Sequence, residues 1–251
     1  MPVRPLGRPA RHLGVVASTM TEATAWAAEG APHGALVVAE HQTAGRGRHG
    51  RAWEAAPGES LLVSVVLRPA LAPDRLGLVP LAAGLAVAEA VAVFGVAAQV
   101  KWPNDVRLGG RKLAGVLAEA SWTGSVPTVI LGIGLNVAQE AFPEAVADRA
   151  VSLRRVTGRP IDRLAPLPAV LDRLAARLAD AESMPDRLLR DVEARLDGLG
   201  EAVAVRFPGV DRAPVDGRAV GLAADGALRV DTGAGEVAVY AGEATLSPAL
   251  P

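Results

Sequence analysis

Residues 98–122 read AQVKWPNDVRLGGRKLAGVLAEASW, and the spacing of their apolar residues decides how the neighbouring segments are to be taken. Two short runs, AQVKWP and LAGVLAEASW, flank NDVRLGGRK, whose Gly109-Gly110 pair supplies a hairpin turn because glycine enters left-handed backbone without steric cost. A hairpin must belong to a sheet, so the adjoining apolar runs are its candidate partners. Upstream these are LGVVAST (13–19), ALVVAE (35–40) and SLLVSVVLRP (60–69), and downstream TVILGIGLNV (128–137). Helices are expected at TEATAWAAEG (21–30), capped by Thr21 and ended by Gly30, and over an Ala-rich stretch at about 74–94. Residues 138–160, with Pro143, Pro160 and scattered charge, read as a mobile loop. Two helices follow at roughly 163–181 and 186–197, the first with a leucine stripe at 164, 167, 171, 174 and 178. Beyond Gly198 the pattern changes to EAVAVRF, GRAVGLA, GALRVDT and GEVAVYA, alternating strands with turns that read as a small all-β barrel. A boundary near Gly200 divides the chain into 1–199 and 200–251.

Composition narrows the classes. With 251 residues, 50% hydrophobic, and a net charge of −1, the chain is not of the disordered kind and offers no broad basic field for nucleic acid. It has no cysteine, which excludes disulfides, thiolate metal sites and a cysteine nucleophile, and fits a reducing compartment; the cytoplasm is the expected location. The opening MPVRPLGRPARHLGVV lacks the apolar core of a secretory signal. The window from Leu76 to Ala98 is apolar, but Pro80 and Glu89 interrupt it and one acid at mid-membrane costs roughly 3 kcal/mol, so a buried core helix is expected and no membrane span.

A compositional bias marks the residues that carry chemistry. Only two of the 26 basic residues are lysines, Lys101 and Lys112, and the only asparagines are Asn104 and Asn136. Where arginine is otherwise the rule, a retained lysine points to a place where a planar guanidinium will not serve. Three of the four lie in the hairpin. A second stretch, Gln42-Thr-Ala-Gly-Arg-Gly-Arg-His-Gly-Arg51, matches G-x-G-x-x-G at Gly45, Gly47 and Gly50, yet a strand rather than a helix follows, so no helix N-terminus awaits a pyrophosphate. Strong strands on both sides also argue against a free arm for a DNA minor groove. What remains is a glycine-permitted loop that carries Arg46, Arg48 and Arg51 to a small anionic ligand, expected to be poorly ordered until that ligand binds. The third stretch, Gly132-Ile-Gly-Leu-Asn136, puts one amide at an apolar strand end, where it must find its own backbone or a ligand edge.

Together the loop G-R-G-R-x-G-R, Lys101-Trp-Pro-Asn-Asp105, the K-L-A-G at Lys112–Gly115 and Gly132-x-Gly-x-Asn136 resemble the biotin protein ligase family, in order and over about Val15 to Leu246. The resemblance implies an α+β fold: a mixed sheet flanked by helices, like a class II synthetase catalytic domain, with a small C-terminal SH3-like β-barrel. It implies that biotin and ATP, with Mg²⁺, form biotinyl-5'-adenylate and pyrophosphate. Biotin then passes to a lysine of a biotin carboxyl carrier domain, the chain acting as monomer or homodimer without DNA. Ser18, Thr19, Met20, Gln42, Arg46, Gly47, Arg48, Lys112 and Gly115 would hold biotin. Arg48, Arg51, Trp53, Asn104, Asp105 and Asn136 would serve the nucleotide, Asn136 reading the adenine and Asp105 also the metal. Lys112, Arg48 and Lys101 would carry the chemistry. Two departures stand out: Ala17-Ser-Thr-Met20 replaces the common Asp-Ser-Thr-Asn, and no tryptophan follows Trp122 to stack on adenine. The rival readings are a lipoate ligase, against which the G-R-G-R loop speaks, and a biotin-sensing repressor, against which the neutral charge and the absence of a helix-turn-helix pattern before the first strand speak.

Overall fold

The computed structural model describes residues 3–122 and 126–246. Seven strands form the larger sheet: β1 (Ala10–Val16), β2 (Leu36–Gln42), β3 (Ser60–Leu67), β4 (Gln99–Lys101), β5 (Asp105–Leu108), β6 (Arg111–Trp122) and β7 (Pro127–Asn136), in the order β1-β2-β3-β7-β6-β5-β4. Only β1 and β2 run parallel, joined by the crossover helix α1 (Thr19–Ala28), so the sheet is mixed as expected. The cap of α1 is Ser18, whose hydroxyl accepts from the Met20 amide at 3.3 Å. Thr21, the expected cap, lies inside the first turn, because the extended backbone that a cap requires falls at Ser18.

One face of this sheet carries α2 (Leu78–Ala90), α4 (Leu167–Ser183) and α5 (Pro185–Glu193). In α2 every residue except Pro80 and Glu89 is buried, and Glu89 is answered by Arg177 of α4, whose Nε donates to it at 3.1 Å. The helical span Pro73–Phe94 is apolar enough to cross a membrane by length alone, but here the sheet, α4 and α5 cover it. Val170, Leu174, Leu178 and Ala181 give α4 its buried stripe. The stretch 138–160 departs from the expected loop. It contains a 3₁₀ turn at Glu144–Val146 and the helix α3 (Leu153–Thr157), capped by Ser152, with Val151 and Leu153 fully buried. Its prolines and charges concealed these few anchoring residues.

Downstream, β8 (Ala202–Arg206), β9 (Val215–Leu222), β10 (Leu228–Asp231), β11 (Glu236–Val239) and β12 (Glu243–Leu246) form an antiparallel sheet in the order β11-β10-β9-β8-β12. β12 was not anticipated, although the equally short β10 and β11 were. The small all-β unit expected here is this antiparallel sheet, and no ladder closes it into a barrel among the described residues. The two edge strands are nevertheless consecutive in the chain, and the four peptide steps from Val239 to Glu243 reach at most about 14 Å. The sheet must therefore curl enough to bring the ends of its edge strands within that reach, less than the roughly 19 Å across five flat strands. Trp102 ties the two sheets together by donating from Nε1 to the Gly226 carbonyl at 3.0 Å.

Candidate active site

The alternation of β3 and β7 creates the site. Leu61, Val63, Val65 and Leu67 of β3 and Val129, Leu131, Ile133 and Leu135 of β7 point into the main core under α2. The intervening positions face α1 and the arginine loop, and there the strands carry Ser64, Gly132 and Gly134. Ser64 pairs with Gly132, which in turn pairs with Leu117 of β6; two residues along, Leu62 pairs with Gly134 and Gly134 with Gly115. These two rows are about 7 Å apart along the strands.

The first row is polar and uncharged. The Ser64 hydroxyl donates to Thr19 Oγ1 at 2.8 Å, the Thr19 hydroxyl donates to Gln42 Oε1 at 3.0 Å, and the Thr19 amide donates to the same oxygen at 2.7 Å. This relay fixes the Gln42 carboxamide so that its oxygen is occupied by protein and its Nε2 hydrogens are turned elsewhere. Ser64 was not anticipated, although a serine at 60 and another at 64 on one face of an otherwise apolar strand was the signal. Met20 lies over Gly132: a Cβ there would meet the thioether sulfur at 2.8 Å.

The second row is cationic and aromatic. The indole of Trp53 rests on two glycines, since a Cβ at Gly134 would lie 2.5 Å from its Cε2 and one at Gly115 2.9 Å from its Cζ3. The Trp53 Nε1 is buried with no hydrogen-bond partner among the described residues, a donor left for a ligand. Lys112 lies beside it, its ammonium 5.5 Å from the ring centroid and 2.8 Å from Asp105 Oδ1. The stretch read as a loop fixes the Lys112 backbone: its amide donates to Arg149 O at 2.7 Å and its carbonyl accepts from Val151 N at 2.9 Å.

The arginine loop folds over both rows as an irregular hairpin, bridged Arg46 to Ala52, with the Gly47 amide donating to Arg51 O at 2.7 Å. Arg46 pairs with Glu119 at 3.0 Å. Arg48 Nη1 donates to Asn104 Oδ1 at 3.1 Å and to the Gly242 carbonyl at 3.2 Å, while Asn104 Nδ2 donates to Val116 O at 2.9 Å. Burial lowers the Arg48 pKa, Asp105 opposes that shift, and Arg51 adds to it.

Ser18, Thr19, Met20, Gln42, Arg46, Gly47, Arg48, Trp53, Asn104, Lys112 and Gly115, all singled out in the sequence, thus line one cavity. Four others do not. Asn136 turns into the protein, its amide donating to Val151 O at 3.2 Å and its oxygen accepting from Gln139 at 3.2 Å, so the strand end satisfies it internally. Arg51 turns outward to pair with Glu243 of β12. Lys101 lines a separate small cavity toward the second sheet; burial and then Arg107 hold its ammonium below the ordinary lysine range, Asp105 and Asp197 opposing and Lys112 adding. Asp105 stands beside the cavity, paired with Lys112, and no group of three His, Asp or Glu gathers among the described residues. The free space in the cavity is about 50 Å³, well under the roughly 300 Å³ or more of a small-molecule site, so the loop must shift to admit a ligand.

Comparison with known proteins gives the context of this arrangement. The Biotin/lipoate A/B protein ligase family matches residues 13–136, and the Biotin protein ligase C terminal domain matches residues 198–247. The chain is 40% identical to the biotin–[acetyl-CoA-carboxylase] ligase of Mycobacterium tuberculosis over 246 residues, covering 93% of this chain and 88% of that protein. It superposes on the biotin protein ligase of Aquifex aeolicus in complex with biotin and ATP with a TM-score of 0.84 and 33% identity, covering 96% of this chain and all of that one. The Leishmania major biotin protein ligase in complex with biotinyl-5-AMP gives a TM-score of 0.65 at 25% identity, with 92% and 98% covered.

Proposed function

The chain belongs to the biotin protein ligase family, and from that premise we propose how its residues activate biotin with ATP and pass it to a protein lysine. The observation that carries the reading is a cavity with one uncharged polar row and one cationic row about 7 Å apart. Such a cavity suits a ligand with a neutral ureido head and a carboxylate tail. Ser18, Thr19 and Gln42 take the head, Gln42 donating from Nε2 to the ureido oxygen. The glycine floor seats Trp53 and Met20 low against the sheet and leaves room above them for the bicyclic ring, and Trp53 donates from its unpartnered Nε1.

In the first half-reaction a biotin carboxylate oxygen bonds to the α-phosphorus of ATP, the α–β bridging bond breaks, and pyrophosphate leaves. Two anions must approach. Lys112, aimed by its ion pair with Asp105, swings between the carboxylate and a non-bridging phosphate oxygen, where a compact ammonium offsets their repulsion. Arg48 and Asn104 take phosphate oxygens from the loop side, with Lys101 supplying positive charge from behind. Asp105 is the carboxylate that would help hold a nucleotide-borne Mg²⁺, since no group of three His, Asp or Glu gathers among the described residues, and the ion when bound would offset phosphate charge. In the second half-reaction a neutral lysine amine attacks the acyl carbon, AMP leaves, and the amine proton passes to Asp105 or solvent. The acceptor is proposed to be a biotin carboxyl carrier domain in the cytoplasm, a setting supported by the lack of cysteine; the net charge of −1 favours no DNA.

The test is pyrophosphate release with ATP and biotin, followed by mass spectrometry of an apo carrier domain. Biotin-dependent release and a single biotinyl adduct are expected. Lipoate-dependent release with no response to biotin would transfer the chain to the lipoate branch of the same superfamily.

A further inference from the structure

The arginine loop is held from outside its own sheet. Arg48 donates to the Gly242 carbonyl at 3.2 Å, and Arg51 forms an ion pair with Glu243, the first residue of β12. The two arginines share one tight turn, in which Arg51 N donates to Arg48 O at 3.2 Å, so whatever holds Arg51 also sets where Arg48 stands. The platform is firm. Glu243 is in register with Arg206 of β8, and Gly242 fits so closely that a Cβ would lie 2.8 Å from the Arg206 carbonyl.

We propose that Glu243 is a positioning residue: by pairing with Arg51 it latches the arginine loop onto the second sheet and sets Arg48 over the cavity, so that the acyl-adenylate is retained until the acceptor arrives. The inference rests on the ligase reading above. An ion pair with its arginine side chain 60% exposed stabilises the fold little. It acts instead on the balance between a closed and an open loop, and the energy of such a pair shifts that balance by roughly two- to fivefold.

The experiment uses the full chain with Glu243→Gln, which keeps size and removes charge, and the charge swap Arg51→Glu with Glu243→Arg. With biotin and ATP present, Glu243→Gln should raise amide exchange at residues 46–53 roughly two- to fivefold. The labelling of bystander albumin lysines relative to the carrier domain should rise by a similar factor. Thermal unfolding and exchange elsewhere should stay unchanged, and the swap should return loop exchange toward the parent value. Parent-like exchange and labelling in Glu243→Gln would overturn the latch, as would a lowered unfolding temperature without selective loop exchange, or a swap that restores nothing. A parent chain that releases no pyrophosphate with biotin would instead remove the ligase reading, a separate and earlier failure.

Discussion

The two faces of the seven-stranded sheet are built from the same strands and have opposite contents. Toward α2, β3 and β7 present Leu61, Val63, Val65, Leu67, Val129, Leu131, Ile133 and Leu135, and nothing there has a polar side chain. Toward α1 the alternate positions include Ser64, Gly132 and Gly134, side chains reduced to a hydroxyl or to nothing. One face is filled by its own residues throughout; on the other, Val66 and Ile130 pack against Met20 and Ala23, and only around Ser64, Gly132 and Gly134 is it emptied so that Trp53, Met20 and a ligand can occupy the space. The period of two in a strand lets a single run such as TVILGIGLNV supply stability on one side and a binding floor on the other.

If that division holds, damage to each face should be separable. Leu131→Ala, a fully buried core change, should cost about 2–5 kcal/mol of stability by denaturant unfolding, while kcat/KM per folded molecule stays near that of the parent. A large loss of kcat/KM in the folded fraction would mean that the faces are not independent. Lys112→Arg should show the reverse. Unfolding should be unchanged, yet biotin-dependent pyrophosphate release should fall by roughly two orders of magnitude, because a planar guanidinium cannot replace the ammonium held between Asp105 and Trp53. Activity within about threefold, less than 1 kcal/mol in barrier, would move the assignment to Lys101 or the loop.

Gly134→Ala sharpens the comparison further, for it adds one methyl to the emptied face. That methyl would sit 2.5 Å from the Trp53 ring, so the indole must leave its seat. Biotin affinity should drop about tenfold, near 1.4 kcal/mol, with stability altered by less than half that figure. Calorimetric titration showing unchanged biotin binding would mean that the glycine floor is not the binding surface.

Much of this was legible from residues alone. The scarcity of lysine and asparagine singled out Lys112 and Asn104, and the arginine-glycine pattern marked the loop, because bias in composition is itself a local signal. Asn136 carried the same signal but satisfies itself within the protein, and no single-chain pattern tells an internal partner from a ligand. The grip of residues 149–151 on the Lys112 backbone, and that of Glu243 on Arg51, escaped because both join segments distant in sequence. Lys101 carried the same lysine signal and opens the Lys101–Asp105 motif; the short strand β4 sets it against the small cavity toward the second sheet, a placement that only the topology reveals.

The seat of Trp53 also gives the molecule an optical property. Of four tryptophans, Trp26 lies under the Arg11 guanidinium at 4.0 Å, Trp102 is committed to Gly226, and Trp122 is half exposed at the end of β6. Of the four, Trp53 has its ring on the cavity floor, 5.5 Å from the Lys112 ammonium that the proposed mechanism moves toward the bound anion. An indole's excited state is sensitive to such a nearby charge, so occupancy of the cavity is written into the protein's own ultraviolet emission. Titrating biotin and following that emission, with Trp53→Phe as the blank, reads the site without any label.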